Sequence, residues 1–209
     1  MKDYLKIIPI FVAGVLFSVI PCLPASADTA GMLKVVAGKK RGGAPLGTSP
    51  QVPDADLDNT GVWTTAPLWN KLTGPIGSDD GDEVIADGSP ISTETFTVAL
   101  STVADPGVST GHILRARWAK TDAAGANYDF HCQLRQNYVS EASLGTLIAT
   151  VSLINKADTT LVTTSYTLSA GEADSITDYT ELSARCWAVK NGGGANRNCR
   201  IADIEFETP

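Results

Sequence analysis

Alternation of apolar and polar residues with a period of two is the feature that most restricts the fold of this chain. In residues 93–101 Phe96, Val98 and Leu100 share one side, and residues 111–120 repeat the pattern with Trp118 inward. Successive side chains of a β-strand point to opposite faces, so each segment predicts a half-buried strand. Five further segments predict strands in the same way: 128–136, 145–156, 160–169, 181–190 and 198–208.

The signals between these segments predict how the strands are assembled. Gly, Asp, Asn and Pro clusters separate them, and the strands at 111–120 and 128–136 are expected to form an antiparallel pair. Helix signals are scarce: Ser169 and Glu172 have capping-box spacing, which predicts one helical turn over 173–176 at a corner between sheets. The chain is therefore predicted to be all-β, a two-sheet antiparallel β-sandwich with a jelly roll favoured over an immunoglobulin-like topology.

The N-terminus has the three zones of a secretory signal peptide. Lys2 and Lys6 precede an apolar run over 7–20, and small residues at 25–27 fit a cleavage site after Ala27. An uncleaved membrane anchor is disfavoured because Pro9 and Pro21 interrupt the apolar run. A lipoprotein box at 19–22 is also disfavoured, because Pro21 stands where a small residue is required. The prediction is a signal peptide at 1–27, a flexible lead-in or arm at 28–50 and a sandwich domain at 51–209, secreted or held on the cell surface, with no membrane span after cleavage.

The charge of the chain argues against a nucleic acid partner. The formal charge is -7 at pH 7, and it becomes -8 without residues 1–27, which carry two lysines and one aspartate. An acidic surface repels phosphate backbones, and the basic run at 39–41 is too short to overcome that repulsion.

Cys132, Cys186 and Cys199 follow the predicted cleavage site, and export makes a disulfide plausible. A hairpin centred between Gly192 and Gly193 would place Cys186 opposite Cys199, and this pairing is favoured. The alternation argues against it, because Cys186 is expected inward and Cys199 outward unless a bulge changes the phase. Cys132 with Cys186, both inward, is the alternative; otherwise Cys132 is a buried free thiol.

Several stretches after the lead-in resemble a jelly-roll domain found in virion-associated proteins of tailed phages and in related bacterial and environmental sequences. They are PDAD at 53–56, GVW at 61–63, DPGVSTGH at 105–112, QLRQ at 133–136, EASLGTLIA at 141–149, LS at 168–169 and DY at 178–179. The resemblance implies a β-sandwich with a structural or surface-binding role, and it transfers no catalytic residues. The signal peptide and the cysteines depart from the usual pattern and favour a secreted or surface role over a virion role.

Alternating aspartates form a candidate metal site. Asp54, Asp56 and Asp58 would share one side of an extended segment, and carboxylate oxygens are calcium ligands. Asn59 and Thr65 exclude an EF-hand loop, whereas a calcium site at the sandwich edge, with help from 79, 80, 82 or 83, stays open beside a solvated acidic loop.

A polar sheet face forms a candidate ligand site. The paired strands would present five side chains together: Arg115, Arg117, His131, Gln133 and Arg135. Such a face could hold a sugar or a carboxylate, and its alternative interpretation is the solvated side of an antiparallel sheet. Trp187 has the opposite parity to Cys186 and is predicted to face outward, either as a binding anchor or subunit contact or packed beneath a loop.

No nucleophile elbow, zinc-protease motif or P-loop is present, and the chain has two histidines. Three functions follow in order of preference. The first is a secreted non-enzymatic structural or surface-interaction module that could self-associate. The second is a carbohydrate-binding module for a surface glycan, with structural calcium, and the last is a glycan-active enzyme built on two carboxylates.

Overall fold

The computed structural model describes residues 50–209 apart from 64–65, 78–80, 87 and 89. The predicted signal peptide and nearly all of the predicted lead-in lie outside these residues. No helix of the described part is long and apolar enough to cross a membrane.

Nine strands and one short α-helix make up the described fold, with a 3-10 turn at Trp69–Lys71. The strands are β1 (Pro53–Asn59), β2 (Val84–Ala86), β3 (Phe96–Leu100), β4 (Ile113–Lys120), β5 (Asn127–Gln136), β6 (Thr146–Lys156), β7 (Val162–Thr167), β8 (Leu182–Asn191) and β9 (Cys199–Glu207). All seven strands expected from the alternation are present, each within three residues of its expected ends.

The strands form two antiparallel sheets. The five-stranded sheet has the order β1-β3-β8-β5-β6, and the four-stranded sheet has the order β2-β9-β4-β7. The two-sheet, jelly-roll-like sandwich predicted from the alternation is thereby confirmed. Within the described residues, β5 and β6 are the consecutive strands that pair with each other; every other step along the chain crosses from one sheet to the other.

This crossing corrects two predicted pairings. The strands β4 and β5 were expected to pair, but β4 belongs to the four-stranded sheet and β5 to the five-stranded sheet. Likewise β8 and β9 were expected to form a hairpin, and they lie in opposite sheets. The linkers at 121–126 and 192–198 are long enough to arch between sheets, so strands that are adjacent in sequence pack face to face.

The core lies between the inner faces of the two sheets. Trp118 of β4 and Phe130 of β5 are fully buried, and their ring centroids are 5.6 Å apart across the sandwich. The inward orientation predicted for Trp118 is confirmed. Large side chains from both sheets interdigitate in this way, which is the usual core of a packed sandwich.

The disulfide joins Cys132 to Cys186, so the favoured pairing of Cys186 with Cys199 is wrong. Cys132 and Cys186 are direct partners in the β5–β8 ladder, with Cα atoms 4.1 Å apart, and both are fully buried. Cys199 lies in the other sheet, where it pairs with Ala86 and Lys120, and it is a buried free thiol. The failed prediction followed from the hairpin that the chain does not form.

The α-helix α1 (Ala170–Asp174) carries the chain from β7 to β8 and hence between sheets. The Ser169 side chain accepts from the Glu172 backbone N–H, and the Glu172 carboxylate accepts from the Ser169 N–H at 2.7 Å. This reciprocal pattern is the predicted capping box, and the corner role is confirmed. The helix begins three residues before the predicted turn.

Candidate functional site

The outer face of the five-stranded sheet brings together aromatic and polar side chains, most of them half-buried; we call it the platform face. In β8, Arg185 and Trp187 flank the buried Cys186 and therefore point outward. In β5, His131 and Gln133 flank the buried Cys132 and point outward in the same way. The ladder pairs His131 with Trp187 and Gln133 with Arg185. The platform face further includes Thr150 and Ser152 of β6, Thr97 of β3 and Asp58 of β1.

Trp187 is held by two neighbours on this face. The His131 ring stacks on it with centroids 5.1 Å apart and an interplanar angle of 24°, and the Arg185 guanidinium carbon lies 5.3 Å from the indole centroid. Trp187 remains partly exposed, so the predicted outward orientation is confirmed. A partly exposed indole with a fixed orientation offers a ligand an apolar ring surface and one polar N–H group.

His131 is also fixed from its other side. Its Nδ1 lies 2.8 Å from the Ser152 hydroxyl of β6. Burial lowers the pKa of His131 from its ordinary value, and the nearby Asp129 carboxylate opposes this effect. Burial therefore favours the uncharged form of the imidazole that stacks on Trp187.

Residues 137–145, which join β5 to β6, lie over part of the platform face; we call them the strap. The strap starts at Asn137 with φ 59° and ends at Gly145 with φ 66°. A Cβ at position 145 would lie 2.2 Å from the Gln136 carbonyl oxygen, so only glycine fits there. These two turns let the chain leave β5 and return along β6.

The strap is anchored by polar contacts to β8 and β1. The Arg185 guanidinium donates to both oxygens of Glu141, with Nη2–Oε2 at 2.6 Å and Nε–Oε1 at 2.9 Å. This pairing lowers the pKa of Glu141. The Tyr138 hydroxyl lies 3.1 Å from Asp58 Oδ2 and 3.0 Å from Glu141 Oε1, and burial raises the pKa of that phenol.

Arg135 supports the strap and is not available to a ligand in this arrangement. Only 8% of its surface is exposed. Its Nε donates to Gln133 Oε1 at 2.8 Å, and its Nη1 donates to the backbone oxygens of Leu144 and Gly145 at 3.2 and 3.4 Å. Its contacts indicate that Arg135 positions the end of the strap.

Arg115 and Arg117 do not belong to the platform face, contrary to the prediction. They lie on β4 in the opposite sheet, and Arg115 Nη1 contacts Glu205 Oε1 at 2.6 Å while its Nη2 contacts Glu207. Arg117 Nη1 lies 3.6 Å from Asp203 Oδ2. These ion pairs join β4 to β9, because opposite charges face each other across the ladder.

The three aspartates predicted to share one side of β1 are separated. Register shifts between Pro53 and Ala55 and between Asp56 and Asp58 break the alternation. The Asp56 carboxylate accepts from the backbone N–H groups of Leu68 and Trp69 at 2.8–2.9 Å, whereas Asp58 faces Tyr138.

Asp54 is exposed, and no group of three or more His, Cys, Asp or Glu residues within the described ranges could hold a metal ion. Asp54, Asp56 and Asp58 therefore do not form the cluster that the alternation predicted. Residues 79 and 80 lie outside the described residues.

Alternation could have predicted that Arg185 faces outward, because it lies two residues before Trp187 in the same strand. Tyr138 and Glu141 carry no such signal, because they lie in a loop whose path over the sheet is set by tertiary contacts.

Comparison with known proteins gives structural neighbours only. No protein-family model and no curated protein sequence matches this chain. One similar solved structure is the K3 adhesin domain of Lys-gingipain from Porphyromonas gingivalis, with 12% identity, TM-score 0.40, and coverage of 74% of this chain and 100% of that chain. A second is the xylan-binding module CBM15, with 12% identity, TM-score 0.40, and coverage of 77% and 97%.

A third is the family 30 carbohydrate-binding module of a Clostridium thermocellum cellulosomal cellulase, with 11% identity, TM-score 0.39, and coverage of 77% and 94%. At these identities and scores, we transfer no ligand from them to this chain. None of the three is a virion protein, and the resemblance to tailed-phage domains stays a prediction.

Proposed function

We propose that this chain is a non-catalytic carbohydrate-binding module of an exported protein and that it binds a neutral glycan on the platform face. The observation that carries the proposal is the partly exposed Trp187, stacked on His131 and flanked by Arg185 on the platform face. Of the functions expected from the sequence, this is the second, the carbohydrate-binding module.

The chemistry of a sugar ring matches this surface. One side of a pyranose presents C–H groups that pack on an aromatic ring, while its hydroxyls need paired donors and acceptors. Half-buried Gln133 lies on the same face on β5, the strand beside Trp187, and half-buried Thr150 and Ser152 lie one strand further, on β6. An apolar anchor surrounded by a few polar groups is a common arrangement in ligand sites.

The charges on the face favour a neutral glycan over an acidic one. The Arg185 guanidinium already forms an ion pair with Glu141, and Asp58 adds a second carboxylate beside the strap. Arg135 is turned toward strap carbonyls. Both arginines that the structure describes on this face are thus paired, so a uronic acid would meet the carboxylates, and like charges at short distance repel.

An extracytoplasmic location is supported by the disulfide, since such bonds persist in oxidising compartments. The signal peptide expected at 1–27 agrees with that location.

A glycan array followed by calorimetry with the best neutral oligosaccharide tests the proposal. We expect Trp187→Ala to weaken binding at least about tenfold, which corresponds to about 1.4 kcal/mol, and Trp187→Phe to retain most of the affinity. Ser165→Ala, on an exposed residue of the opposite sheet, is the control for a nonspecific effect. Unchanged affinity in a folded Trp187→Ala variant would show that the platform face is not the site.

A further inference from the structure

The sandwich has four edge strands, and they differ in how they are protected. β1 and β6 are the edges of the five-stranded sheet, and β2 and β7 are the edges of the four-stranded sheet. An edge strand presents backbone N–H and C=O groups that another strand can pair with, and proteins usually block such pairing.

Two of these edges, β1 and β2, carry recognisable protection, and the third, β7, exposes no large apolar side chain. β1 begins with Pro53, contains three aspartates and has two register shifts. β2 has three residues. β7 has six residues, and its exposed side chains are the hydroxyl-bearing residues at 163, 165 and 167. Short length, charge, proline and bulges all disfavour pairing with another chain.

β6 lacks most of this protection. It has eleven residues with no charged side chain from Thr146 to Asn155, and Leu147 and Ile154 are 48% and 57% exposed. Register shifts occur toward its two ends, while the stretch from Ala149 to Leu153 keeps a regular register with β5. Within the described residues β5 is the strand that pairs with it.

We propose that β6 pairs antiparallel with β6 of a second copy of this chain. A twofold axis near Val151, the middle residue of the strand, brings the Leu147 end of one copy against the Ile154 end of the other. Both exposed apolar side chains are then covered by the same contact, which is the self-complementarity that a twofold interface requires. The chain has a formal charge of -7, and the uncharged β6 is an edge at which two copies meet without like charges.

The proposed dimer has a geometric consequence for ligand binding. A twofold axis perpendicular to the sheet joins the two five-stranded sheets into one and keeps both platform faces on the same side. Five strand spacings separate β8 of one copy from β8 of the other, so the two Trp187 side chains would lie about 24 Å apart. Two sites on one side bind a glycan-covered surface with avidity; this consequence, unlike the dimer itself, rests on the proposed function.

Sedimentation velocity and light scattering over a concentration series test the dimer. We expect a concentration-dependent dimer that the double variant Leu147→Lys/Ile154→Lys weakens at least tenfold. Ile91→Lys/Val108→Lys is the matched control, because Ile91 and Val108 are 53% and 50% exposed outside β6. Thermal melting of both variants checks that each is folded. A chain that stays monomeric at about 1 mM, or a dimer that both double variants weaken equally, overturns the proposal.

Hydrogen exchange identifies what covers the edge. We expect the β6 amides to become more protected as the concentration rises. Strong protection of these amides from exchange in a monomer would mean that residues of the same chain, outside the described ranges, cover β6. That result would overturn pairing with a second copy. The Leu147→Lys/Ile154→Lys variant should bind a soluble oligosaccharide with the same affinity as the unmodified protein. A failure of the dimer proposal and a failure of the glycan proposal can therefore be distinguished.

Discussion

Removing the Cys132–Cys186 disulfide is expected to destabilise the domain strongly. The bond closes a loop with a sequence separation of 54 residues and joins β5 to β8 directly beside the His131–Trp187 pair. Cross-linking restricts the unfolded chain, and for a loop of this length the entropic model gives about 4 kcal/mol. Since domains are stable by about 5–15 kcal/mol, this is a large share of the total.

The change to make is Cys132→Ala/Cys186→Ala, with Cys199→Ala as the matched control. Cys199 is buried but not cross-linked, so its replacement measures the loss of one packed sulfur, about 1 kcal/mol. We expect the double variant to lose about 4–6 kcal/mol, which corresponds to a fall in melting temperature of roughly 8–24 °C for a domain of this size.

Urea unfolding followed by tryptophan fluorescence measures these free energies. Non-reducing peptide mapping should recover one cross-linked peptide containing Cys132 and Cys186. A double variant that loses no more than twice the Cys199→Ala loss would refute the argument from chain entropy. A cross-linked peptide containing Cys199 would refute the pairing itself.

Four further outcomes are expected. Glu141→Gln should admit acidic sugars by releasing the Arg185 charge, and an array that still shows neutral glycans alone would contradict this. Burial raises the pKa of the Cys199 thiol, so a maleimide should label it only in denaturant; rapid labelling of the native chain would be the contrary result. Asp56→Ala should cost about 1–3 kcal/mol in urea unfolding, because two backbone N–H groups lose their acceptor; a loss as small as that of Asp54→Ala would count against this. Burial lowers the pKa of both His112 and His131, so the unfolded chain binds more protons and stability should fall as the pH drops below about 6.5. The melting temperature should therefore fall less in His131→Gln between pH 7.5 and pH 5, and an equal fall would exclude His131 as a cause.

The sequence was informative wherever the signal was local. Alternation located seven strands and placed Trp118 inward and Trp187 outward, because the side-chain direction of a strand depends only on parity. The capping box of Ser169 and Glu172 located the corner helix, since both of its hydrogen bonds span three residues. Part of the platform face was within reach of the same reasoning, because the outward orientation of His131, Gln133 and Trp187 follows from parity.

Which strands lie beside one another was decided by the tertiary structure. The linkers after β4 and β8 can close a hairpin or arch to the other sheet, and nothing in their local composition distinguishes the two. That choice put Arg115 on the opposite side of the sandwich from His131, and it paired Cys186 with Cys132 in place of Cys199. A register shift in β1 separated Asp56 from Asp58, and the strap placed Glu141 on Arg185. Parity depends on a residue and its immediate neighbours, whereas sheet order depends on how the whole set of apolar faces is buried at once, so only the folded chain determines it.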